Sequence, residues 1–232
     1  MKCAIIQPSY IPWRGYFHQI DKSDIFIFYD DVQYDKHGWR NRNRIKTHQG
    51  TIWLTIPVYS SGVLIEHTPI NQVEIDYHRP WQKKHWSAIQ QAYSKAPYFN
   101  QYKDAIKYFY FDWQPKLLAD YTIEYTKKLC ELLGIKNTKF MRSSEIIAEG
   151  RKTERLIRIL TQLGVTDYIS GPSAKAYIKE EMFTREGISL EYMTYDYNEY
   201  PQLYPPYDPQ VSILDLLFMT GDKALSYIRG EK

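Results

Sequence analysis

Lys2-Cys3-Ala4-Ile5-Ile6-Gln7-Pro8, then Trp13 to Ile20, then Ile25-Phe26-Ile27-Phe28-Tyr29-Asp30: this opening stretch decides the fold. The first run is short and apolar, and Gln7-Pro8 stops it, as expected of a buried strand leaving a sheet for a loop. A helix can begin at Trp13. Ser23-Asp24 then precede a β-branched and aromatic run with the length of a buried strand. Strand, helix and strand in such close succession predict a right-handed parallel crossover.

Outward from that unit, Val32 to Lys46 reads as a polar and aromatic loop, and Thr51 to Val58 as a strand whose Pro57 marks an edge or an end. From Pro80 to Gly134 the pattern is helical. Trp81, His85, Ile89 and Tyr93 recur every four residues, a second run passes from Leu117 through Ile123 to Leu132, and Gly134 closes it as a C-cap. Thr153 to Leu163 is a further helix ending at Gly164, followed by the strand Asp167 to Ser170 and the turn Gly171-Pro172-Ser173. Ile188 to Tyr192 alternates like a strand, Asn198 to Pro209 is a Pro- and Tyr-rich loop, and Ser212 to Phe218 is a last helix. Helices alternating with strands predict an α/β fold, a mainly parallel Rossmann-like sheet with helices on both faces. A single domain over 1–232 is expected, with 80–134 as a helical middle segment serving as insertion or cap.

Composition narrows the function classes. The apolar share of 44% and charged share of 25% are those of a globular protein. No apolar run approaches the roughly 18 to 20 residues that span a bilayer, and the N-terminus turns polar too early for a signal segment of about 7 to 15 apolar residues. A cytoplasmic protein without membrane insertion is the expectation. The net charge of +3 is small and the cations are scattered among acids, so nucleic acid is not the expected partner. Cys3 and Cys130 have neither disulfide-framework nor metal-knuckle spacing and read as packing residues. No histidine pair has zinc spacing on a helix face, counting His37, His48, His67, His78 and His85, so no metal is assigned, and no cofactor is identified. The 22 Tyr and 6 Trp are the anomaly, since such side chains suit wet clefts, sugar stacking and interfaces.

Three segments gather chemistry at strand ends. The first, Gln7-Pro8-Ser9-Tyr10-Ile11-Pro12-Trp13-Arg14-Gly15-Tyr16, lies where the first strand gives way to a helix, the ligand-binding edge of parallel sheets. Trp13, Tyr10 and Tyr16 are candidates to stack on a ring, Gln7 to read polar groups, and the helix N-terminus to meet an anion. Packing of the same aromatics onto the sheet is the competing reading. The second holds Asp30-Asp31 and Trp39-Arg40-Asn41-Arg42-Asn43-Arg44. There Arg42 and Arg44 suit a phosphate or carboxylate, Asn41 a hydroxyl or amide, Trp39 a ring, and Asp30 the role of general base. Adjacent carboxylates on a strand face opposite ways, so at most one of the two enters a site. A solvated charged loop is the alternative. The third, Ser170-Gly171-Pro172-Ser173-Ala174-Lys175, offers Ser173 and Lys175 as an anion cradle, or is simply a strand-to-helix turn. His18 on the first helix reads as packed and hydrogen bonded. Neither a Gly-x-Ser-x-Gly elbow nor an activated cysteine is present.

Gln7-Pro8-x-Tyr10-x-Pro12-Trp13-x-Gly15-Tyr16-Phe17, Asp30-x-Val32-Gln33-Tyr34, Trp39-x-Asn41-Arg42-Asn43-Arg44-Ile45 and Trp53-Leu54-Thr55-x-Pro57-Val58 together resemble the WbqC-like family. The likeness continues through Tyr168-Ile169-Ser170-Gly171-Pro172 and Ser212 to Phe218. It implies a place in bacterial O-antigen (lipopolysaccharide) and related surface-polysaccharide biosynthesis. The implied activity is a transferase that passes a glycyl or other N-acyl group to a nucleotide-linked amino sugar. The alternative is a non-catalytic nucleotide-sugar or glycan binding protein of that pathway. The opening residues are also distantly similar to class I nucleotidyltransferases, although Trp13-Arg14-Gly15-Tyr16 replaces both histidines of their His-x-Gly-His helix. Either way the expected partner is a small molecule, a nucleotide sugar.

Overall fold

The structure is a computed structural model and describes residues 1–36, 38–59 and 68–231. Its opening unit is β1 (Lys2–Ile6), α1 (Arg14–Asp21) and β2 (Ile25–Phe28), with the two strands parallel and in register from Cys3 opposite Ile25 to Ile6 opposite Phe28. Three further strands, β5 (Lys139–Arg142), β6 (Asp167–Ser170) and β7 (Ser189–Tyr192), complete a parallel sheet in the order β5-β2-β1-β6-β7. The chain builds outward from β1 through β2 to β5, then returns to the other side of β1 for β6 and β7. That doubly wound, Rossmann-like order places its topological switch point between β1 and β6.

Both faces of the sheet are covered, which is why its central strands read as unbroken apolar runs. Cys3, Ile5, Ile25 and Ile27 pack on one face with Leu156, Ile159 and Leu160 of α5 (Lys152–Gln162) and Phe183 of α6 (Glu180–Arg185). Ala4, Phe26 and Phe28 face the larger core. There they meet Phe17 and Ile20 of α1 and a cluster built from α2 (Trp81–Tyr93), α3 (Phe99–Phe111), α4 (Leu118–Leu133), α7 (Ile213–Thr220) and α8 (Ala224–Arg229). Cys3 and Cys130 are both buried free thiols. Gly134 ends α4 at φ +81°, a left-handed cap that favours glycine. Among the described residues no helix is long and apolar enough to cross a membrane.

Several segments differ from the sequence reading: α6 is not among the expected helices, and α8 follows the helix read as the last. Arg42–Thr47, expected within a loop, is strand β3, paired antiparallel with β4 (Gly50–Thr55) from Arg42 opposite Thr55 to Thr47 opposite Gly50. Its inward positions include Asn43, so the apolar alternation that marks a strand is disguised. The four residues of β5 are too few to show a period, and they pair only because β2 lies beside them. Both the β3–β4 hairpin and helices α2 to α4 lie on the excursion that connects β2 to β5.

Ten of the 22 tyrosines are buried. Tyr10, Tyr93, Tyr110, Tyr121 and Tyr125 are fully buried, and Phe109 stacks on Tyr125 with centroids 4.2 Å apart. Buried phenols need partners. Tyr10 Oη lies 2.7 Å from Tyr110 Oη and 3.0 Å from His85 Nδ1. Burial holds the His85 imidazole down at about 4, so it serves this cluster as a neutral ring.

Candidate functional site

The loop that leaves β1 is held in a strained form. Ile11 sits at φ +37°, a left-handed conformation that costs a β-branched residue about 1–3 kcal/mol and persists only where its surroundings fix it. Asn43 supplies much of that restraint: its Nδ2 donates to the carbonyls of Tyr10 (3.1 Å) and Ile11 (2.9 Å). Tyr10 N donates to Trp39 O at 3.2 Å, and Ile213 N at the start of α7 donates to Pro12 O at 2.8 Å. Two distant segments, one holding Trp39 and Asn43 and the other the start of α7, thus shape one loop.

Helix α1 follows directly. An added Cβ on Gly15 would fall 2.3 Å from the Trp13 indole, so the ring lies across a bare backbone, and Tyr195 meets it edge-on at 4.9 Å. Gly15→Ala should therefore push the indole out of place without harming the helix, which alanine favours by about 0.5–1 kcal/mol over glycine. We expect a melting temperature changed by only a few degrees, because lost indole packing opposes the helix gain, together with an altered tryptophan emission spectrum and at least about tenfold weaker binding of the pocket ligand. Titration of the folded variant, read beside the spectrum, checks this.

The Tyr-rich segment expected as an ordered loop is pinned over α1. Arg14, itself buried, donates to Asn198 O (2.9 Å) and Tyr207 Oη (3.0 Å) and lies 4.2 Å over the Tyr197 ring. His18 Nδ1 is 2.9 Å from Tyr197 Oη, and burial lowers its pKa, in keeping with a packed, hydrogen-bonded histidine. Gln19 Nε2 donates to Tyr195 Oη at 2.6 Å.

Beside these elements lies a cavity of about 520 Å³, lined by residues following both β1 and β6, at the switch point of the sheet. Trp13, Tyr16 and Trp39 present rings to it. Gln19, Asn43 and Gln210 bring amides, Ser9 and Ser173 hydroxyls, and Arg40 is the one charged side chain among the described lining residues. A groove of about 720 Å³ between α5 and α6 has a different character, with Arg158 paired to Glu154 at 2.8 Å.

Of the residues singled out from sequence, the structure brings Trp13, Tyr16, Trp39 and Ser173 to this cavity. Gln7 contributes its backbone carbonyl, which accepts from Tyr16 Oη at 3.1 Å. Tyr10 is corrected: its ring is wholly buried in the aromatic core and cannot stack on a ligand. Asn41 is structural, buried with Nδ2 on Ile56 O at 2.8 Å. Arg42 and Arg44 sit at alternate positions of β3 and lie over the exposed Trp53 ring at 4.5 and 5.7 Å, and Arg44 Nη2 donates to Gln210 O at 2.8 Å. Between them Asn43 turns inward. Lys175 is exposed, 4.9 Å over the Tyr192 ring.

Asp30 is the larger correction. It is fully buried at the end of β2, where Arg142 Nε (2.6 Å) and Ser144 Oγ (2.9 Å) donate to Oδ2 and Ser144 N (3.0 Å) donates to Oδ1. A carboxylate so occupied ties β2 to β5 and has no open approach for a substrate proton. The adjacent Asp31 shares the Ser143 hydroxyl with Asp30, at 2.6 Å against 3.2 Å, and is otherwise paired with Arg155. Sequence reasoning missed Arg40, Asn43, Ser9, Gln19 and Gln210. Arg40 and Asn43 lay inside the quoted segment; the strand register of β3 is the signal that separates Asn43 from Arg42 and Arg44, whereas Arg40 precedes the strand and no local period marks it.

Among the described residues no group of three His, Cys, Asp or Glu side chains gathers as for a metal ion, and His37 and His67 lie outside those residues. The WbqC-like protein family model matches residues 7–227. The uncharacterized protein Rv1507c of Mycobacterium tuberculosis is 42% identical over 229 residues, 98% of this chain and 97% of that one. No solved structure matches.

Proposed function

The chain belongs to the WbqC-like protein family, and from that membership we propose that its switch-point pocket binds a nucleotide-linked sugar used in building bacterial surface polysaccharide. The observation that carries this reading is the pairing, in one cavity, of ring-bearing walls with a single buried guanidinium. Indole and phenol faces suit a base or a sugar, and Arg40 suits a phosphate group. Two side chains there lack hydrogen-bond partners: Gln19 Oε1 as an acceptor, and Arg40 Nε and Nη1 as donors, are buried without a hydrogen bond. Each such group costs about 1–3 kcal/mol until something satisfies it. A ligand with an anionic end and a hydroxyl-rich ring answers both.

The described lining holds no carboxylate, histidine or cysteine, which favours binding and presentation of the sugar over chemistry upon it. Glycyl or N-acyl transfer to an amino sugar is the second reading, and the left-handed Ile11 is what supports it, since such strain concentrates at reacting centres. Calorimetric titration with uridine- and thymidine-diphosphate sugars tests the first reading, with mass spectrometry of the recovered sugar to detect transfer. Micromolar binding, weakened at least about tenfold by Trp13→Ala, is the expected result. Failure of the whole panel to bind would remove it, and a mass gain on the sugar would select transfer.

A further inference from the structure

Arg40 reaches the pocket from the turn before β3 with only 8% of its surface exposed. A guanidinium so desolvated needs a counter-charge and acceptors for its five N–H groups. Asp35 Oδ1, 3.4 Å from Nε, is the carboxylate within ion-pair reach among the described residues. The contact lacks hydrogen-bond geometry, for both Nε and Nη1 remain without an acceptor. Moreover the Asp35 side chain is 54% exposed, so its charge is largely hydrated and its hold on Arg40 is weak.

Two contacts with Gly38 fix where this carboxylate sits. Gly38 N donates to Asp35 O at 3.2 Å, and a Cβ built on Gly38 would fall 1.6 Å from Asp35 Oδ2. The carboxylate rests against a bare Cα, a seat that any side chain at 38 would fill. On one side it borders Arg40 and on the other it borders water.

From this geometry we infer that Asp35 is a resident stand-in for the ligand's anion: a diphosphate entering the pocket displaces the carboxylate from Arg40, and Asp35 turns into solvent. The incoming oxygens take Nε and Nη1 as a charge-assisted pair, which the loosely placed carboxylate fails to do. Asp35 then competes with ligand and lowers affinity for weak anions. Only the identity of the ring portion rests on the nucleotide-sugar reading; the anion site does not.

Calorimetric titration with inorganic pyrophosphate, and separately with a uridine-diphosphate sugar, separates the two ideas when run on the intact chain and three variants. Asp35→Asn should tighten pyrophosphate binding about three- to tenfold by removing the competitor. Gly38→Ala should act in the same direction by unseating the carboxylate while leaving the charge in place. Arg40→Met, which replaces a poorly paired buried charge by an apolar chain and so should fold, should weaken pyrophosphate more than about thirtyfold. Unchanged or weaker pyrophosphate binding by Asp35→Asn overturns the inference whatever Gly38→Ala does, as does an absence of pyrophosphate binding in every variant. If the sugar nucleotide binds the natural chain while Asp35→Asn tightens neither ligand, the nucleotide-sugar reading stands and the stand-in falls. Should pyrophosphate follow the expected pattern while no sugar nucleotide binds, the stand-in survives and that reading falls.

Discussion

Asp30→Asn is expected to lower stability by about 3 kcal/mol and to leave the affinity of the folded protein for its pocket ligand unchanged. The carboxylate is wholly buried and joins three parts of the fold: the end of β2, which it follows, Arg142 at the end of β5 with Ser144 just after it, and, through Arg142 Nη1 at 2.7 Å, Asp120 in the first turn of α4. Removing one member of such a pair leaves the other desolvated without its charge partner. For buried pairs that costs about 3–5 kcal/mol, and the partial exposure and second partner of Arg142 place this one at the lower end. The amide that replaces the carboxylate also aims two donors at groups that are themselves donors. For a chain of this length the fall in melting temperature is about 6–12 °C. Thermal unfolding measured beside ligand titration below the transition distinguishes this from a catalytic role. Loss of ligand turnover at an unchanged melting temperature would return Asp30 to the site.

The opening thirty residues carried the right local information and the wrong neighbourhood. Strand, helix and strand followed from apolar runs and Pro8, because those depend on residues close in sequence. Which strand lies on the other side of β1 depends on pairings such as Cys3 with Tyr168, some 160 residues apart, and nothing local encodes them. The sequence reading therefore gave Asp30, at the tip of β2, the same standing as the loop after β1, whereas the cavity adjoins β1 and β6. Trp13 and Ser173 emerged from both views because each follows a strand that flanks the switch point. Asp30 and Asp31 end the strand on the far side, where Arg142 and Arg155 absorb them. The same limit applies to Tyr10: a tyrosine in a strand-end loop suggests a wet cleft until α2, α3 and α4 bring His85, Tyr110 and Tyr125 around it. With Arg42, Asn43 and Arg44 the difficulty was chemical. Guanidinium groups draw attention as anion ligands, yet in this strand the amide between them is the inward side chain that braces the strained loop.

Stability should also carry a pH signature from Asp215, which α7 buries against Tyr93 Oη at 3.0 Å. Burial raises its carboxyl from 3.8 to about 6, against the opposing pull of Tyr200, Tyr93, Gln202 and the buried Lys46 ammonium, which itself donates to Gln202 and to the Pro206 carbonyl. The folded state thus holds a proton that the unfolded chain releases between about pH 4 and pH 6. Stability from this group is fully present below the unfolded value and falls as pH rises through the folded one, by an amount on the order of 2–3 kcal/mol. His85 runs the other way. Its depressed pKa excludes a proton that the unfolded chain accepts, so its contribution is lost as pH falls from about 6.5 toward 4. The two slopes oppose each other over the shared window, and the natural chain alone reports only their sum. Asp215→Asn isolates one of them: the variant should be more stable than the natural chain at pH 7, and the gain should vanish below about pH 4, where both states of the carboxyl carry the proton. Urea unfolding at intervals from pH 4 to pH 8 measures that difference directly. A difference that stays constant across the range would mean that the carboxylate is already charged and fully compensated in the folded protein, with Lys46 as its true counter-ion.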